Sequence, residues 1–335
     1  MNETSIANPR ELDSLDVHVL VDNATDSLST VPHDVTHEWG HLKTRGGFVL
    51  SGEALCCAAF GLSLVITARI GDTTRVLLFD AGPEADTFAR NCERLGIDLG
   101  SVDAVVLSHG HWDHAGGLTE AVGRIFDSNG GRPVECHVNP GMFVTRAMQA
   151  PEGDHILFKD IPDPRALADA GASVINRPEA RSLLDDFFHL SGEIPRITSF
   201  ENGIPSHRKR SSDGLTWEPD PLILDERYVA ARVKGMGMIL FTACSHAGVI
   251  NILSDAREKF DGVPLFGLMG GFHLSGKGPE AAISQTVEKL KIFGLKRVMP
   301  GHCTGWRAIS AFSTALEPEV LVPLAVGRKF RFENS

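Results

Sequence analysis

The feature that most constrains this chain is a run of three histidines and one aspartate within six consecutive positions, His109 to His114. Only Ser108 separates the run from the apolar residues Val105 to Leu107, which predict a short buried strand. Imidazole and carboxylate are ligands that suit zinc and related divalent ions. Four such groups cannot be buried together without a common partner, because each would need its own hydrogen bonds. The segment therefore predicts a metal site at a strand end, where loops of α/β proteins carry their chemistry.

The spacing within this segment favours two metal ions over one. His109 and His111 are two residues apart, so on an extended loop their side chains point the same way and reach one ion. Asp113 and His114 lie at the turn into the next predicted helix, and their side chains are expected to face the position of a second ion. Two ions roughly 3.5–4 Å apart form the centre of many hydrolytic enzymes.

Three later histidines supply candidates for the remaining ligands, because two metals need more than four. His246, His273 and His302 each follow an apolar strand at a glycine-containing exit. One such histidine alone is more typical of a structural residue. Three of them in the same kind of position favour a shared site.

The order of predicted elements indicates an α/β fold built as a four-layer αββα sandwich. Two β-hairpins, over 62–79 and 226–242, are each followed by alternating strands and helices. We expect residues 1–335 to form one domain, with 151–221 as an irregular elaboration within it. We also expect a loop over 25–47 and a helix between the strand 134–138 and about residue 148.

Composition restricts the partners and the compartment. The net charge of −11 argues against a nucleic acid partner, which normally meets a basic surface. No run of 18 apolar residues is present, so no membrane association is expected. The six scattered cysteines do not form a disulfide framework and favour a reducing, cytoplasmic setting. We expect a small-molecule substrate, and a homodimer is one possible oligomeric state.

Several segments together resemble the metallo-β-lactamase superfamily, over most of the chain apart from 151–221. The carriers of this resemblance are Leu78-Phe79-Asp80-Ala81-Gly82, the His109-x-His111-x-Asp113-His114 motif, Leu240-Phe241-Thr242 and Pro300-Gly301-His302. Four further segments resemble the branch named for 7,8-dihydropterin-6-methyl-4-(β-D-ribofuranosyl)-aminobenzene-5′-phosphate synthase. They are Ser191-Gly192-Glu193-Ile194-Pro195-Arg196, Cys244-Ser245-His246-Ala247-Gly248, Gly270-Gly271-Phe272-His273-Leu274 and Gly301-His302-Cys303-Thr304-Gly305.

The resemblance implies ligands for two divalent metals, which we expect to be Zn²⁺, with Mn²⁺ or Fe²⁺ as alternatives. The first metal is assigned to His109, His111 and a later histidine, for which we choose His246. The second metal is assigned to Asp113, His114 and His302, the last matching the final ligand histidine of the family. His273 is the competitor of His246 and is otherwise expected to face the substrate.

The chain departs from the superfamily pattern at two positions. Cys244 stands where a bridging aspartate is common, which leaves the bridge between the metals open. Phe60 precedes Gly61-Leu62-Ser63, where the branch often has a histidine, and this predicts a more apolar pocket.

Two further residues have alternative roles. Asp80 is either an outer carboxylate that orients metal ligands or a turn residue before Gly82. Arg196 either binds an anionic group of the substrate or forms a structural ion pair with Glu193 or Glu201.

The leading functional prediction is hydrolysis of a small-molecule ester, lactone or phosphoester by a metal-activated hydroxide. Asp113, besides binding metal, is expected to orient the hydroxide or carry its proton. One alternative is a synthase that displaces phosphate or diphosphate from a pterin-like substrate. A di-iron protein that handles oxygen or nitric oxide is disfavoured, because a bridging carboxylate is not evident. A non-enzymatic metal-binding module is the last alternative.

Overall fold

The computed structural model describes residues 8–46 and 49–334. Over these residues it contains strands β1 (Glu11–Leu12), β2 (Ser14–Val21), β3 (Val35–Thr36), β4 (Ser63–Ile70), β5 (Thr73–Phe79), β6 (Ala104–Val106), β7 (Val134–Val138), β8 (Arg146–Gln149), β9 (His155–Leu157), β10 (Ala172–Asn176), β11 (Arg181–Leu183), β12 (Phe188–Leu190), β13 (His207–Arg210), β14 (Trp217–Pro219), β15 (Val229–Val233), β16 (Gly237–Phe241), β17 (Leu265–Gly271), β18 (Arg297–Gly301) and β19 (Lys329–Glu333). The α-helices are α1 (Glu38–Thr44), α2 (Ala85–Leu95), α3 (Trp112–Ala115), α4 (Leu118–Ser128), α5 (Pro164–Asp169), α6 (Val249–Lys259), α7 (Ile283–Leu290) and α8 (Trp306–Ala315).

Two large sheets form the centre of the fold. The first has the order β10-β7-β6-β5-β4-β2-β19-β3, and the second has the order β11-β12-β15-β16-β17-β18 with β1 beside β15. The two expected hairpins, β4–β5 and β15–β16, are antiparallel pairs at the centre of these sheets. Beyond each hairpin the neighbouring strands run parallel, as expected where helices connect them.

Three layers of apolar packing show that the architecture is the expected αββα sandwich. Residues such as Phe79, Phe241 and Phe330 fill the space between the two sheets. A second cluster joins the first sheet to α2 and α4 through Phe88 and Ile125. A third cluster joins the second sheet to α6, α7 and α8. Each sheet is therefore covered by its partner sheet on one face and by helices on the other.

The expectation that 151–221 is irregular is wrong. Its strands lie in all three sheets: β10 in the first, β11 and β12 in the second, and β9, β13 and β14 in a small sheet with the order β14-β13-β8-β9. All six of these strands have only three to five residues, which is too few for an alternating pattern to be recognised in the sequence.

Two other local expectations are corrected. Residues 146–149 form β8 rather than the end of a helix, because they pair with β13, a partner about sixty residues away along the chain. The expected loop over 25–47 contains β3 and α1, and its residue 47 lies outside the described residues. Among the described helices, none has the length and apolar character needed to cross a membrane.

The strands that carry the candidate ligands end at a common edge. Strand β6 is parallel to β5 and precedes His109, and β16, β17 and β18 are mutually parallel. The segments after β16, β17 and β18 hold His246, His273 and His302. Carboxyl ends of parallel strands are the usual place for a binding site in α/β folds.

Candidate metal centre

The His109–His114 segment is fixed by a buried arginine and a carboxylate that neither its spacing nor its composition reveals. The main-chain N of Gly110 donates to Asp225 Oδ2 at 2.8 Å, and Arg146 Nη1 donates to the Gly110 carbonyl at 3.0 Å. Arg146 also forms ion pairs with Asp225 and, at 3.0 Å, with Asp220. A Cβ at position 110 would lie 2.4 Å from the Met142 carbonyl oxygen, so glycine is required.

Asp113, His114, Cys244 and His302 form one group of candidate ligands. One ligand atom from each lies within 4.8 Å of those of the others, and all four residues are buried. His302 Nε2 is 3.3 Å from Asp113 Oδ2, and His114 Nε2 is 3.2 Å from Cys244 Sγ. This group contains the three residues assigned to the second metal.

A second group, His109, Cys244 and His246, includes the same cysteine, and its ligand atoms again lie within 4.8 Å of one another. His109 Nε2 is 3.1 Å from His111 Nδ1, and the ring of His246 lies 4.9 Å and 4.8 Å from the rings of His109 and His111 between centroids. The structure therefore brings together the three histidines assigned to the first metal. Cys244 is common to both groups.

Outer hydrogen bonds set which ring nitrogen of each ligand histidine faces inward. His114 Nδ1 donates to Asp80 Oδ2 at 2.7 Å, and Ser108 Oγ donates to the same oxygen at 2.8 Å. Because that hydroxyl proton is used, Ser108 Oγ accepts from His109 Nδ1 at 2.9 Å. His302 Nδ1 donates to Asn23 Oδ1 at 3.0 Å. In all three histidines Nε2 is therefore the nitrogen that faces the other candidate ligands and would bind a metal.

Main-chain hydrogen bonds hold the loop that carries His246. Glu226, buried beneath the loop, accepts hydrogen bonds from the main-chain N of His246 at 2.8 Å and of Ala247 at 2.7 Å. Burial raises the pKa of Glu226 to about 6, against the opposing effect of these two donors. The ring nitrogens of His246 are both buried without a hydrogen-bond partner in the described structure.

Burial controls the protonation of the site. Burial, followed by repulsion from neighbouring histidines, lowers the pKa of His109, His111 and His246 well below the usual value. These rings are therefore neutral, which is the form that binds metals. Burial opposes protonation of His114 as well, but the carboxylates of Asp113 and Asp80 raise its pKa to about 9. A bound metal cation beside His114 would interact favourably with the same two carboxylates in place of the proton.

Four of the eight described non-glycine residues with a positive φ angle lie at this site. Asp80, Ser245, His273 and His302 have left-handed φ angles of 58°, 59°, 43° and 46°, which non-glycine residues adopt at a cost. Asp80 and Ser245 are held by internal hydrogen bonds, the latter through Oγ to the Gly271 carbonyl at 2.7 Å. Strain of this kind is typical of functional positions.

His273 lies beside the first group, with its ring 4.5 Å from that of His246 between centroids. It forms a third group with Cys244 and Cys303, again within 4.8 Å. The structure thus places His273 next to the assigned ligands.

Aromatic side chains form the rim of the site. Phe60 is 54% exposed, and its ring stacks on Trp112 at 6.0 Å between centroids and 21° between planes. The edge contact of Phe60 with His302 is 5.0 Å between centroids. Across the site Phe158 packs against His111 at 5.4 Å.

Arg196 is not brought into contact with these ligands. Its guanidinium donates to the carbonyls of Ile194 and, at 2.8 Å, of Leu222. Among the described residues it forms no ion pair, so the alternative of a structural pair with Glu193 or Glu201 is not seen, and its partners are these main-chain carbonyls. Glu201 instead accepts from the main-chain N of Ile250 and Asn251 at the start of α6.

Comparisons with known proteins identify the family to which this fold belongs. The family model of the metallo-β-lactamase superfamily matches residues 60–180. The 7,8-dihydropterin-6-methyl-4-(β-D-ribofuranosyl)-aminobenzene-5′-phosphate synthase of Methanocaldococcus jannaschii is 30% identical over 262 residues, covering 75% of this chain and 83% of the synthase. The chain belongs to the metallo-β-lactamase superfamily.

Two solved structures share the fold. The crystal structure of Tm1679, described as a metal-dependent hydrolase of the β-lactamase superfamily, has a TM-score of 0.69 at 22% identity, covering 96% of this chain and all of that one. The metallo-β-lactamase fold protein YhfI from Bacillus subtilis has a TM-score of 0.50 at 14% identity, covering 96% of this chain and all of YhfI. Members of this superfamily are mostly enzymes and typically bind metal ions.

The residues present fit a metal-binding role. Buried nitrogen atoms without hydrogen-bond partners include His111 Nε2, both ring nitrogens of His246, and His302 Nε2. An unsatisfied buried polar group costs about 1–3 kcal/mol, so such a cluster needs a common partner. A divalent cation would supply that partner for imidazole, thiolate and carboxylate together.

Proposed function

We propose that this protein is a two-metal hydrolase that acts on a small-molecule ester, lactone or phosphoester. The observation that carries the proposal is the pair of ligand groups that share Cys244, with Nε2 of His109, His114 and His302 directed inward because outer hydrogen bonds hold Nδ1 of each ring. An arrangement in which outer partners fix each tautomer is typical of metal-binding histidines.

We assign His109, His111 and His246 to the first metal and Asp113, His114 and His302 to the second, with Cys244 between them. When bound, a pair of divalent ions lowers the pKa of a water towards neutrality and polarises a carbonyl or phosphoryl oxygen. Zn²⁺ suits this combination of imidazole, carboxylate and thiolate, and Mn²⁺ or Fe²⁺ are the alternatives.

The protein's own groups perform the remaining tasks. Neighbouring His114 and His302 hold the pKa of the Asp113 carboxyl below its usual range, although burial opposes this. As a carboxylate, Asp113 orients the attacking water and accepts its proton. His273 faces the substrate beside His246. Phe60 and Trp112 shield the site from bulk water on one side and favour a substrate with a flat apolar part.

Arg196 is proposed only as an anion-binding group at a distance from the reacting atoms, since its present partners are main-chain carbonyls. A small-molecule substrate fits a site enclosed by side chains within one chain. A nucleic acid or membrane partner has no support in the acidic composition.

The test is an activity screen of the zinc- and manganese-loaded protein against lactones, carboxylic esters, phosphodiesters and phosphomonoesters. His111→Ala removes one assigned ligand, so any genuine turnover should fall by at least about a hundredfold in that variant. Ser211→Ala, in an exposed turn, is the matched control and should retain turnover. Full activity of the His111 variant would disprove the mechanism.

A second candidate is favoured by the 30% identity to the M. jannaschii synthase. In that reading the same centre promotes displacement of diphosphate as a pterin-like substrate condenses with an aminobenzene derivative. The discriminating measurement is release of diphosphate from a pterin-methyl diphosphate with and without the aminobenzene acceptor. Acceptor-dependent release favours the synthase, and acceptor-independent release favours the hydrolase.

A further inference from the structure

Two cysteines lie in sulfur-to-sulfur contact at the centre of the site, and the hydrolytic proposal uses only one of them. Cys303 Sγ is 3.4 Å from Cys244 Sγ and 3.6 Å from the Cys244 carbonyl oxygen. Both side chains are buried, and both cysteines are reduced. Cys244 belongs to both groups that contain residues assigned to the two metals, whereas Cys303 belongs only to the third group, with Cys244 and His273.

We infer that Cys244 and Cys303 form a modification site, at which a small two-electron oxidant such as a peroxide joins them in a disulfide and thereby removes Cys244 from the metals. A disulfide requires the two sulfur atoms to approach from 3.4 Å to roughly 2.0 Å. The segments that carry them follow β16 and β18, which lie on either side of β17 in the second sheet. The movement is therefore local.

The chemistry balances with one peroxide for each disulfide. The Cys303 sulfur attacks a peroxide oxygen, an S–O bond forms and the O–O bond breaks, so that Cys303 becomes a sulfenic acid and the first water leaves with the thiol proton. The Cys244 sulfur then attacks the Cys303 sulfur, an S–S bond forms and the S–O bond breaks, and the second water leaves. Both sulfurs are oxidised and the peroxide is reduced to water.

The consequence for the site follows from the position of Cys244. A disulfide sulfur carries no negative charge and is a poor metal ligand compared with a thiolate. Oxidation would withdraw the one group that the two sets of ligands share, so metal should be lost from both. This consequence rests on the proposed two-metal site, whereas formation of the disulfide does not.

The experiment treats the zinc-loaded full chain with hydrogen peroxide. Disulfide-linked peptides are mapped by mass spectrometry, and released zinc is measured by the absorbance of a chromogenic chelator. We expect a cross-link between Cys244 and Cys303, loss of two hydrogen atoms in mass, and zinc release that thiol reduction and added zinc reverse. Absence of that cross-link in the oxidised wild-type protein overturns the inference.

Two variants make the test specific. Cys303→Ser should form no cross-link and should keep its zinc under the same treatment. Cys57→Ser, which removes an exposed cysteine, should behave like the wild type. Zinc release from Cys303→Ser at the wild-type rate would refute the link between the disulfide and the metals.

The failure of this inference can be told apart from that of the proposed function. If the purified chain takes up no metal, the two-metal proposal fails, but mapping the cross-link in the metal-free protein still decides whether the cysteine pair is an oxidation site. If Cys303→Ser does not fold, as judged by circular dichroism, Cys303→Ala replaces it. The wild-type cross-link needs neither variant.

Discussion

At the scale of single residues, the aromatic rim of the candidate metal centre is where substrate recognition can be tested. Phe60 is half exposed and meets solvent on one side and His302 on the other, so its ring is available to a substrate. We expect Phe60→Ala to raise KM for an aryl ester about fivefold, because one aromatic contact contributes about 1 kcal/mol.

The measurement compares KM for an aryl ester and an alkyl ester of similar size. The alkyl substrate should be affected much less, and Phe60→Tyr should restore the aryl preference. Trp306→Phe, at an exposed position on α8, is the control. An equal rise in KM for both substrates would remove Phe60 from substrate recognition.

A buried histidine away from the site predicts how stability depends on pH. His189 on β12 is buried against Phe260, and both its ring nitrogens lack partners in the described structure. Burial, with a smaller contribution from Lys259, lowers its pKa from 6.5 to about 4. The folded protein thus excludes a proton that the unfolded chain binds below pH 6.5, and stability falls as the pH drops from there towards 4.

His189→Leu should abolish this contribution, which amounts to about 3 kcal/mol by pH 4. The check is the free energy of unfolding by urea at pH 7 and at pH 4.5. The variant should lose less stability than the wild type between the two values. His155→Leu, at a partly exposed position on β9, is the control and should lose as much as the wild type.

At the scale of elements, the turn between α3 and α4 depends on a close approach of two backbones. A Cβ at Gly116 would lie 1.7 Å from the Pro83 carbonyl oxygen, whereas a Cβ at Gly123 in α4 would have 4.0 Å to its nearest neighbour. Gly116→Ala should destabilise the protein by about 2–3 kcal/mol through overpacking. Gly123→Ala should stabilise it by about 0.5–1 kcal/mol, because alanine suits a helix interior better.

Thermal unfolding of both variants tests this contrast. Equal Tm values for the two variants would show that the β5–α2 loop moves away freely and that the close approach is not required.

The helices and strands show which features can be predicted from the sequence alone. The hairpins, α2, α6 and the parallel strands were predictable, because each carries its own periodic pattern and its own turn. The strands of 151–221 were not, since they are short and gain their order from partners in three different sheets. The motif histidines were predictable because their spacing is local.

The residues that hold the candidate ligands in place could not be predicted from the sequence, for a related reason. Asp225, Arg146 and Asn23 contact the motif loop or His302 from positions far away in the chain, and no local spacing connects them. A buried acid pair, Asp225-Glu226, just before a strand was the one available signal. His246, chosen over His273, does lie with His109, but the metal assignments remain a prediction.

At the scale of the whole molecule, the proposed metals connect the two sheets. The His109–His114 segment follows a strand of the first sheet, while Cys244 and His302 follow strands of the second. Binding to the folded state alone stabilises it, by about 4 kcal/mol at a thousandfold excess over Kd. Chelation should therefore lower Tm as well as activity.

Differential scanning calorimetry with and without a chelator checks this expectation, and added zinc should reverse the shift. The same chelator should change the Tm of His111→Ala less. An unchanged wild-type Tm after complete removal of metal would mean that the two sheets are held by their apolar core alone.

The most direct test of a two-metal centre is elemental analysis of the purified full chain after zinc loading and removal of free metal. The assigned ligands predict two zinc ions per chain, with a reduced content in His111→Ala because one ligand of the first metal is absent. A wild-type protein that retains no zinc, or an unchanged content in the variant, would contradict the assignment.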